Sequence, residues 1–347
     1  MKKTIALILT LCLTLALVAC GDKQPPAPQE ADYKLGMGIV VSMDSSKAEN
    51  AQVDATVAAV VLDAEGKIVS CRIDVAQNKM KVAGGAVDTA AAFKTKMELG
   101  SAYGMAGKVD NNDDGVMLEW DAQAKAFEEY VVGMTAADVE AIKTQEAKGH
   151  LIAVDEALLK AGCSMQITDF VAAVVKACKD DQAQSFKTAA TFTLGVAAAT
   201  TAAESTAAAA DKDGEVKMYT DFAAAVVADG KILAAITDAI QPKITVNTIG
   251  DIVEKSFKAT KRELKDGYGM AGKVDNNDDG VMLEWFEQAD AFAKYVVGKT
   301  GAEIKALQTK EAKGHQISVD EELLKAGCTI QITGMQAVIA AACDYAR

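Results

Sequence analysis

Asp110-Asn111-Asn112-Asp113-Asp114-Gly115 and Asp275-Asn276-Asn277-Asp278-Asp279-Gly280 place oxygen-bearing side chains at alternate positions ahead of a glycine. That spacing fits the first half of a calcium loop, in which such oxygens converge on one hard cation and the glycine allows the sharp turn. The candidate ligands are Asp110, Asn112 and Asp114 in the first loop and Asp275, Asn277 and Asp279 in the second. The second half of the pattern fits less well. Its last position calls for a bidentate carboxylate and holds Asp121 in one copy and Phe286 in the other, with Glu119 and Glu284 two residues early. A solvated Asn/Asp turn is the other reading of the same residues.

Both loops lie inside a longer repeated stretch, YGMAGKVDNNDDGVMLEW, at 103–120 and again at 268–285. Within it, Tyr103, Lys108, Glu119 and Trp120, with Tyr268, Lys273, Glu284 and Trp285, are candidate ligand contacts. The two tryptophans read equally as core anchors, and Met105 and Met270 as packing. His150 and His315 recur in EAKGH with no second histidine or cysteine nearby, so each is expected to cap the end of a helix rather than to bind zinc. Cys163 and Cys178 share their spacing with Cys328 and Cys343, while Cys71 has no counterpart. One disulfide per copy is one reading, closing if the last helix folds back along a CSMQIT strand. Buried free thiols are the other. The chain has no G-x-S-x-G, Walker loop, G-x-G-x-x-G or H-E-x-x-H, and the expected role is non-enzymatic.

The elements that must position these residues also recur. Residues 103–178 and 268–343 align without a gap at an offset of 165, at roughly two-thirds identity. Upstream, 51–82 aligns more faintly with 216–246, and each reads as a hairpin of two apolar runs around a glycine turn. KLGMGIVVS and TFTLGVAAA add a preceding strand. Downstream, LEWDAQAKAFEEYVVG is a helix with Trp120, Ala124, Phe127 and Val131 on one stripe, closed by Gly133. Thr135 to Asp138 and Thr300 to Glu303 are capping boxes, Asp155 caps a short turn ending at Gly162, and DFVAAVVKAC is a final helix capped from Thr168. The expected class is α+β: two tandem homologous units, 33–180 and 187–347, each a small antiparallel sheet followed by several helices, with its own core. The alanine- and threonine-rich segment 195–215 reads as a long, loose surface connection.

MKKTIALILTLCLTLALVAC has a basic start, an apolar run and a small-residue end, the pattern of a secretory signal. GDKQPPAPQEAD follows, with Pro25, Pro26 and Pro28. Such a segment favours extended polyproline II at about 3 Å per residue, a tether of roughly 35–40 Å. A leader removed with Lys2 and Lys3 and no acid leaves 34 of the 36 basic side chains against 49 acidic ones, a net of −15. That charge repels nucleic acid and anionic lipid headgroups and suits cationic ligands.

Three resemblances add to this reading. Leu17-Val18-Ala19-Cys20-Gly21 resembles the lipobox of bacterial lipoproteins. It implies a signal peptide over 1–19, diacylglyceryl and palmitoyl-type acylation of Cys20, a lipidated tether over 20–32, and a place on the outer face of the cell membrane. The body is similar to two-repeat surface lipoproteins of Gram-positive anaerobes, in Thr95, Lys96, Glu98, Leu99, Tyr103, Gly104, Met105, Glu119, Trp120, Phe127 and Tyr130. Their counterparts are Thr260, Lys261, Glu263, Leu264, Tyr268, Gly269, Met270, Glu284, Trp285, Phe292 and Tyr295, followed by Lys299. This likeness implies address and architecture and names no activity. The third resemblance is to extracytoplasmic FMN-binding domains, whose flavin is joined to a threonine in a motif like [SDN]-G-A-[ST]-x-[ST]. Gly84-Gly85-Ala86-Val87-Asp88-Thr89 keeps the glycine, the alanine and the last threonine but not the first polar residue or the fourth hydroxyl, and NTIGDI at 247–252 lacks the motif. The leading expectation is a membrane-anchored binding module with two equivalent sites, for an extracellular ligand or protein and with calcium as its cofactor where the loops bind it. The alternative is a redox carrier with FMN. Similarity to EF-hands or dockerins covers the acidic loops alone and carries no function with it.

Overall fold

The computed structural model describes residues 30–347. The leader, Cys20 and the tether as far as residue 29 lie outside the described residues. In chain order the N-terminal half comprises β1 (Ala31–Ser42), β2 (Asn50–Leu62), β3 (Ile68–Lys81), α1 (Lys96–Leu99), α2 (Trp120–Tyr130), α3 (Ala136–Glu140), β4 (Thr144–Ala147), β5 (His150–Ala153), α4 (Glu156–Lys160), α5 (Thr168–Cys178) and β6 (Gln184–Thr188). The rest comprises β7 (Thr193–Thr201), β8 (Gly214–Val216), β9 (Tyr219–Ala228), β10 (Lys231–Ile240), β11 (Lys243–Val246), β12 (Ile252–Ser256), α6 (Lys261–Leu264), α7 (Trp285–Tyr295), α8 (Gly301–Lys305), β13 (Thr309–Ala312), β14 (His315–Ser318), α9 (Glu321–Lys325) and α10 (Thr333–Asp344). The class is α+β.

Two antiparallel sheets, ordered β3-β2-β1-β6 and β10-β9-β7, carry the architecture. Successive residues of a strand point to opposite faces, and here both faces are buried. Ala55, Val57, Ala59 and Val61 of β2 meet Phe222, Ala224 and Val226 of β9 in one central core. Ala58, Val60 and Leu62 turn the other way, onto Trp120, Phe127 and Phe170. In the second sheet Ala223 and Ala225 turn onto Trp285, Phe292 and Met335. The result is four layers: helices, sheet, sheet, helices. Each half keeps a core of its own beneath its helices, and a third core, shared between the halves, adds to what the sequence predicts. The halves share this core because a sheet with helices on one face still has an apolar face to cover.

The helices approach unusually closely. A β-carbon on Gly36 would come within 2.1 Å of the Ala177 carbonyl oxygen, and one on Gly195 within 1.8 Å of the Ala342 carbonyl oxygen. Glycine at both places lets α5 and α10 lie directly on β1 and β7. Each half is also closed by the tail of the other. The Arg347 guanidinium lies 3.0 Å from the buried Glu128 carboxylate of α2, and Glu128 accepts from Ile73 N at 2.9 Å. In the opposite direction, buried Arg262 donates to Asp290 at 2.7 Å and to the Gln182 carbonyl at 2.8 Å. Gln182 and Arg347 are themselves 165 residues apart.

Several local expectations change. CSMQIT is not a strand; it is the extended turn between α4 and α5, and Cys163 packs there beside Leu158. Thr168 is the first residue of α5, whose preceding residue Ile167 gives no side-chain cap. Residues 195–215 are ordered in large part. Gly195 to Thr201 belong to β7, Ser205 is buried and accepts from Lys217 N at 2.9 Å, and β8 pairs with β11. Low side-chain volume there serves close packing. The expected joint between the halves also contains structure, since β6 pairs with β1 and completes the first sheet. Among the described residues no helix is long and apolar enough to cross a membrane.

A shared core requires the halves to unfold together. Trp120→Phe and Trp285→Phe each leave one tryptophan as the reporter of one half. Their urea transitions, followed by fluorescence, should coincide with each other and with the far-ultraviolet signal; two separated midpoints would mean independent domains.

Candidate functional site

The T-K-x-E-L segment has a specific task. Thr95 caps α1, its hydroxyl accepting from Glu98 N at 3.2 Å while the Glu98 carboxylate accepts from Thr95 N at 2.8 Å. From β3, buried Asp74 accepts from Met97 N at 3.1 Å and from the Thr95 hydroxyl. The first turn is thereby held at both ends. Lys96, inside it, has its ammonium 4.9 Å from the Tyr103 ring centre and 5.4 Å from that of Trp120. The other half repeats this with Asp238, Thr260 and Glu263, and Lys261 lies 5.1 Å from both Tyr268 and Trp285. These are cation–π distances.

The acidic loops serve the same place. Asp110 accepts from Asp114 N at 3.2 Å and Gly115 N at 3.0 Å, and Asp114 accepts from the Asn112 amide and from Val116 N, both at 2.7 Å. The second loop has the same bonds. The structure therefore brings the three expected metal ligands of each loop together but turns the oxygens of Asp110 and Asp114, and of Asp275 and Asp279, onto their own loops. A lysine ammonium lies against each loop as well: Lys148 donates to the Asp110 carbonyl and, at 2.6 Å, to Asp113, and Lys313 does the same to Asp275 and Asp278. Between the ligand positions, buried Asn111 and Asn276 donate at 2.9 Å to the carbonyls of Ser164 and Thr329.

Lys148 sits at the tip of the β4–β5 hairpin, where it and Gly149 both have positive φ, and the next residue is His150. The histidines therefore cap no helix; each opens a strand, at the mouth of a cavity. These hairpins escaped the sequence reading, although Lys-Gly between short runs is a turn signal. Gln123 and Gln288 escaped it too. Each is fully buried, donates to the carbonyl of Leu118 or Leu283, and accepts from Ser164 N or Thr329 N. The available signal was that each keeps its place while the residues around it change.

Two cavities result, of about 470 Å³ and about 450 Å³. Tyr103, Met105, Asn111, Trp120, Lys96 and His150 line the first, and the residues 165 further on line the second. Of the expected ligand contacts, Tyr103, Trp120, Tyr268 and Trp285 lie here. Glu119 and Glu284 do not. Each accepts from two backbone amides, Met105 and Ala106 or Met270 and Ala271, and these donors hold Glu119 below the usual carboxylate range. Lys273 turns back to the Gly269 carbonyl at 2.8 Å, and Lys108 is exposed. The Gly84–Thr89 segment lies elsewhere, with Gly85 packed against Ala208 and Asn247 and Thr89 exposed.

Cys71, Cys163, Cys178, Cys328 and Cys343 are free thiols, so the two expected bridges are absent. The reason is geometric. Eleven residues of α5 carry Cys178 about 15 Å along the helix, beyond bridging reach of its start. Burial pushes the Cys163 and Cys328 thiols up to about 12.

A calcium ion entering either loop has to displace a lysine ammonium. Any calcium-dependent rise in melting temperature should therefore be larger in a Lys148→Met, Lys313→Met protein than in the parent. An equal rise in both would place the ion outside these loops.

Burial also raises Asp74 and Asp238 to about 6. The folded chain then holds protons that the unfolded chain, near 3.9, releases, so stability falls as pH rises from about 4 to about 6. Asp238→Asn removes this term. Its stability relative to the parent should rise across that window, by at most about 3 kcal/mol, in urea denaturation at pH 4 and pH 7. A constant difference would mean that Asp238 titrates as an ordinary acid.

No family model matches the chain, and no curated protein or solved structure matches it either, so the cavities are interpreted from their own chemistry.

Proposed function

We propose that the chain is an extracytoplasmic lipoprotein of two tandem homologous units, held on the outer face of the membrane through Cys20, and that it binds ligand without transforming it. The observation that carries this reading is the repeated cavity. The same lysine, tyrosine, tryptophan, asparagine and histidine are gathered 165 residues apart, on walls whose strands have otherwise diverged. A volume near 450 Å³, an aromatic floor and a few polar groups are the usual make-up of a small-ligand site. Cys71, Cys163 and Cys328 are buried, Cys178 and Cys343 half-buried, and burial raises the proton affinity of all five, which disfavours the nucleophilic thiolate. Two sites on one tether also gain avidity for a polymeric or clustered ligand, provided that both sites can be reached at once.

Two measurements test this. Cys20→Ala should abolish incorporation of a palmitate label and release the protein from membranes; retained label would refute the anchor. In Trp120→Phe and Trp285→Phe proteins, a ligand found by thermal-shift screening of small metabolites should perturb the remaining tryptophan in each, with two molecules bound per parent chain. A screen in which neither tryptophan responds to any compound would remove the binding reading.

A further inference from the structure

The scaffold around each cavity makes many hydrogen bonds; of the charges inside, Asp54 accepts from the Gln52 side-chain amide and the others make none among the described residues. Among the described residues Lys96 and Lys261 have only aromatic rings as partners, and Asp169 and Asp221 have no hydrogen-bond donor. Partial desolvation is the main influence on both acids and raises them; at Asp169, which is exposed at the cavity wall, Asp54 adds to the rise, and in both cavities the facing lysine opposes it. A second carboxylate stands on the wall of each cavity, Asp54 in one and Glu204 in the other. Each cavity thus holds one ammonium and two carboxylates.

The two inner acids reach this arrangement by different routes. Gly36 and Gly195 occupy equivalent places under α5 and α10. Four residues on, Val40 pairs with Thr56 and Ala199 pairs with Asp221. Thr56 and Asp221 are therefore the same position on the wall. On the facing helix, Asp169 corresponds to Gly334, where a β-carbon would fall 2.0 Å from Asp221 Oδ2. One half supplies the carboxylate from the helix and the other from the strand, and where the strand supplies it the helix has a glycine. The side chain is exchanged and the charge stays in place.

We infer that each cavity binds a basic amino acid, free or at the carboxyl end of a peptide, its carboxylate meeting Lys96 or Lys261, its α-ammonium or peptide N–H meeting Asp169 or Asp221, and its side-chain cation meeting Asp54 or Glu204. This inference rests on the two-site reading above and names its ligand class. The free amino acid's two positive charges and one negative charge complement the cavity's two negative and one positive, a peptide end replaces one of those charges by an N–H donor, and in both the methylenes lie along the Trp and Tyr faces. Lys96, Lys261, Asp54 and Asp221 are half-buried and Asp169 and Glu204 exposed, and charge-assisted hydrogen bonds from a ligand at such a wall are stronger than neutral ones.

The test is calorimetry on the full-length protein in detergent with four probes: L-lysine, L-norleucine, cadaverine and Gly-Gly-Lys. Norleucine lacks the side-chain cation and cadaverine lacks the carboxylate. L-Lysine should bind at two sites per chain, at least tenfold more tightly than either analogue. Asp169→Asn and Asp221→Asn should each weaken one of the two sites by tenfold or more while the other persists, which shows that the variant is folded. Gly-Gly-Lys binding as tightly as lysine assigns the sites to peptide ends, and weaker binding assigns them to the free amino acid. Norleucine matching lysine, or no heat from lysine and Gly-Gly-Lys alike, overturns the inference. If the metabolite screen nevertheless perturbs both tryptophans, the ligand class alone has failed and the two-site reading stands.

Discussion

Burial of both faces of both sheets is the constraint on which the rest of the structure depends. A strand covered on one side alternates apolar and polar residues; one covered on both sides cannot. Residues 57–62 of β2 and 222–228 of β9 accordingly read as unbroken apolar runs, and the many alanines among them follow from the distance at which the helices lie. With the Ala177 and Ala342 carbonyls so close to β1 and β7, there is no room beneath α5 and α10 for larger side chains at the contact. The central core in turn fixes how the halves face one another. The crossed tails seal that arrangement, placing Arg347 against buried Glu128 and the Gln182 carbonyl against buried Arg262.

What was legible in the sequence was what local spacing decides. The β2–β3 hairpin, the Trp120 to Val131 stripe, the Thr135 and Thr300 capping boxes and the Asp155 cap all depend on residues a few positions apart, and all are present. The shared core was not legible, because an apolar run does not state which surface covers its second face. CSMQIT misled for a related reason. Its alternation of apolar and polar residues satisfies a strand pattern, but Gln123 takes the amides of Ser164 and Met165, so the segment is stitched to a helix and not to another strand. The cavity was half legible. Tyr103 and Trp120 were identified, whereas Lys96, His150 and Asp169 are brought to them by tertiary contacts that no spacing announces.

The uneven divergence of the two halves follows from the kinds of contact each part makes. Val60 in one sheet and Ala225 in the other occupy matching positions and are both fully buried, since an apolar contact tolerates any shape that fits. Asn111, Gln123, Glu119 and Lys148 each satisfy particular donors or acceptors, and replacing one strands its partner. The hydrogen-bonded scaffold therefore resists drift whatever the cavity contains. That reasoning accounts for YGMAGK, DNNDDG and LEW without any ligand.

It does not account for Lys96 and Lys261. Neither ammonium closes a hydrogen bond or an ion pair within the described residues, so an unbranched apolar side chain would cover the same rings without the cost of desolvating a charge. Recent copying of one half onto the other would explain an identical lysine, but it would also have copied the acid that faces it. Instead Asp169 stands opposite a threonine in one half, and in the other Asp221 stands opposite a glycine that leaves room for it. Moving the carboxylate between helix and strand takes two separate changes: one alone would leave the lysine with only Asp54 or Glu204 to oppose it, and the other would place a third acid in the cavity. The charge keeps its place through the exchange, beside a lysine that makes no hydrogen bond or ion pair among the described residues, and these are the groups that the proposed ligand would meet.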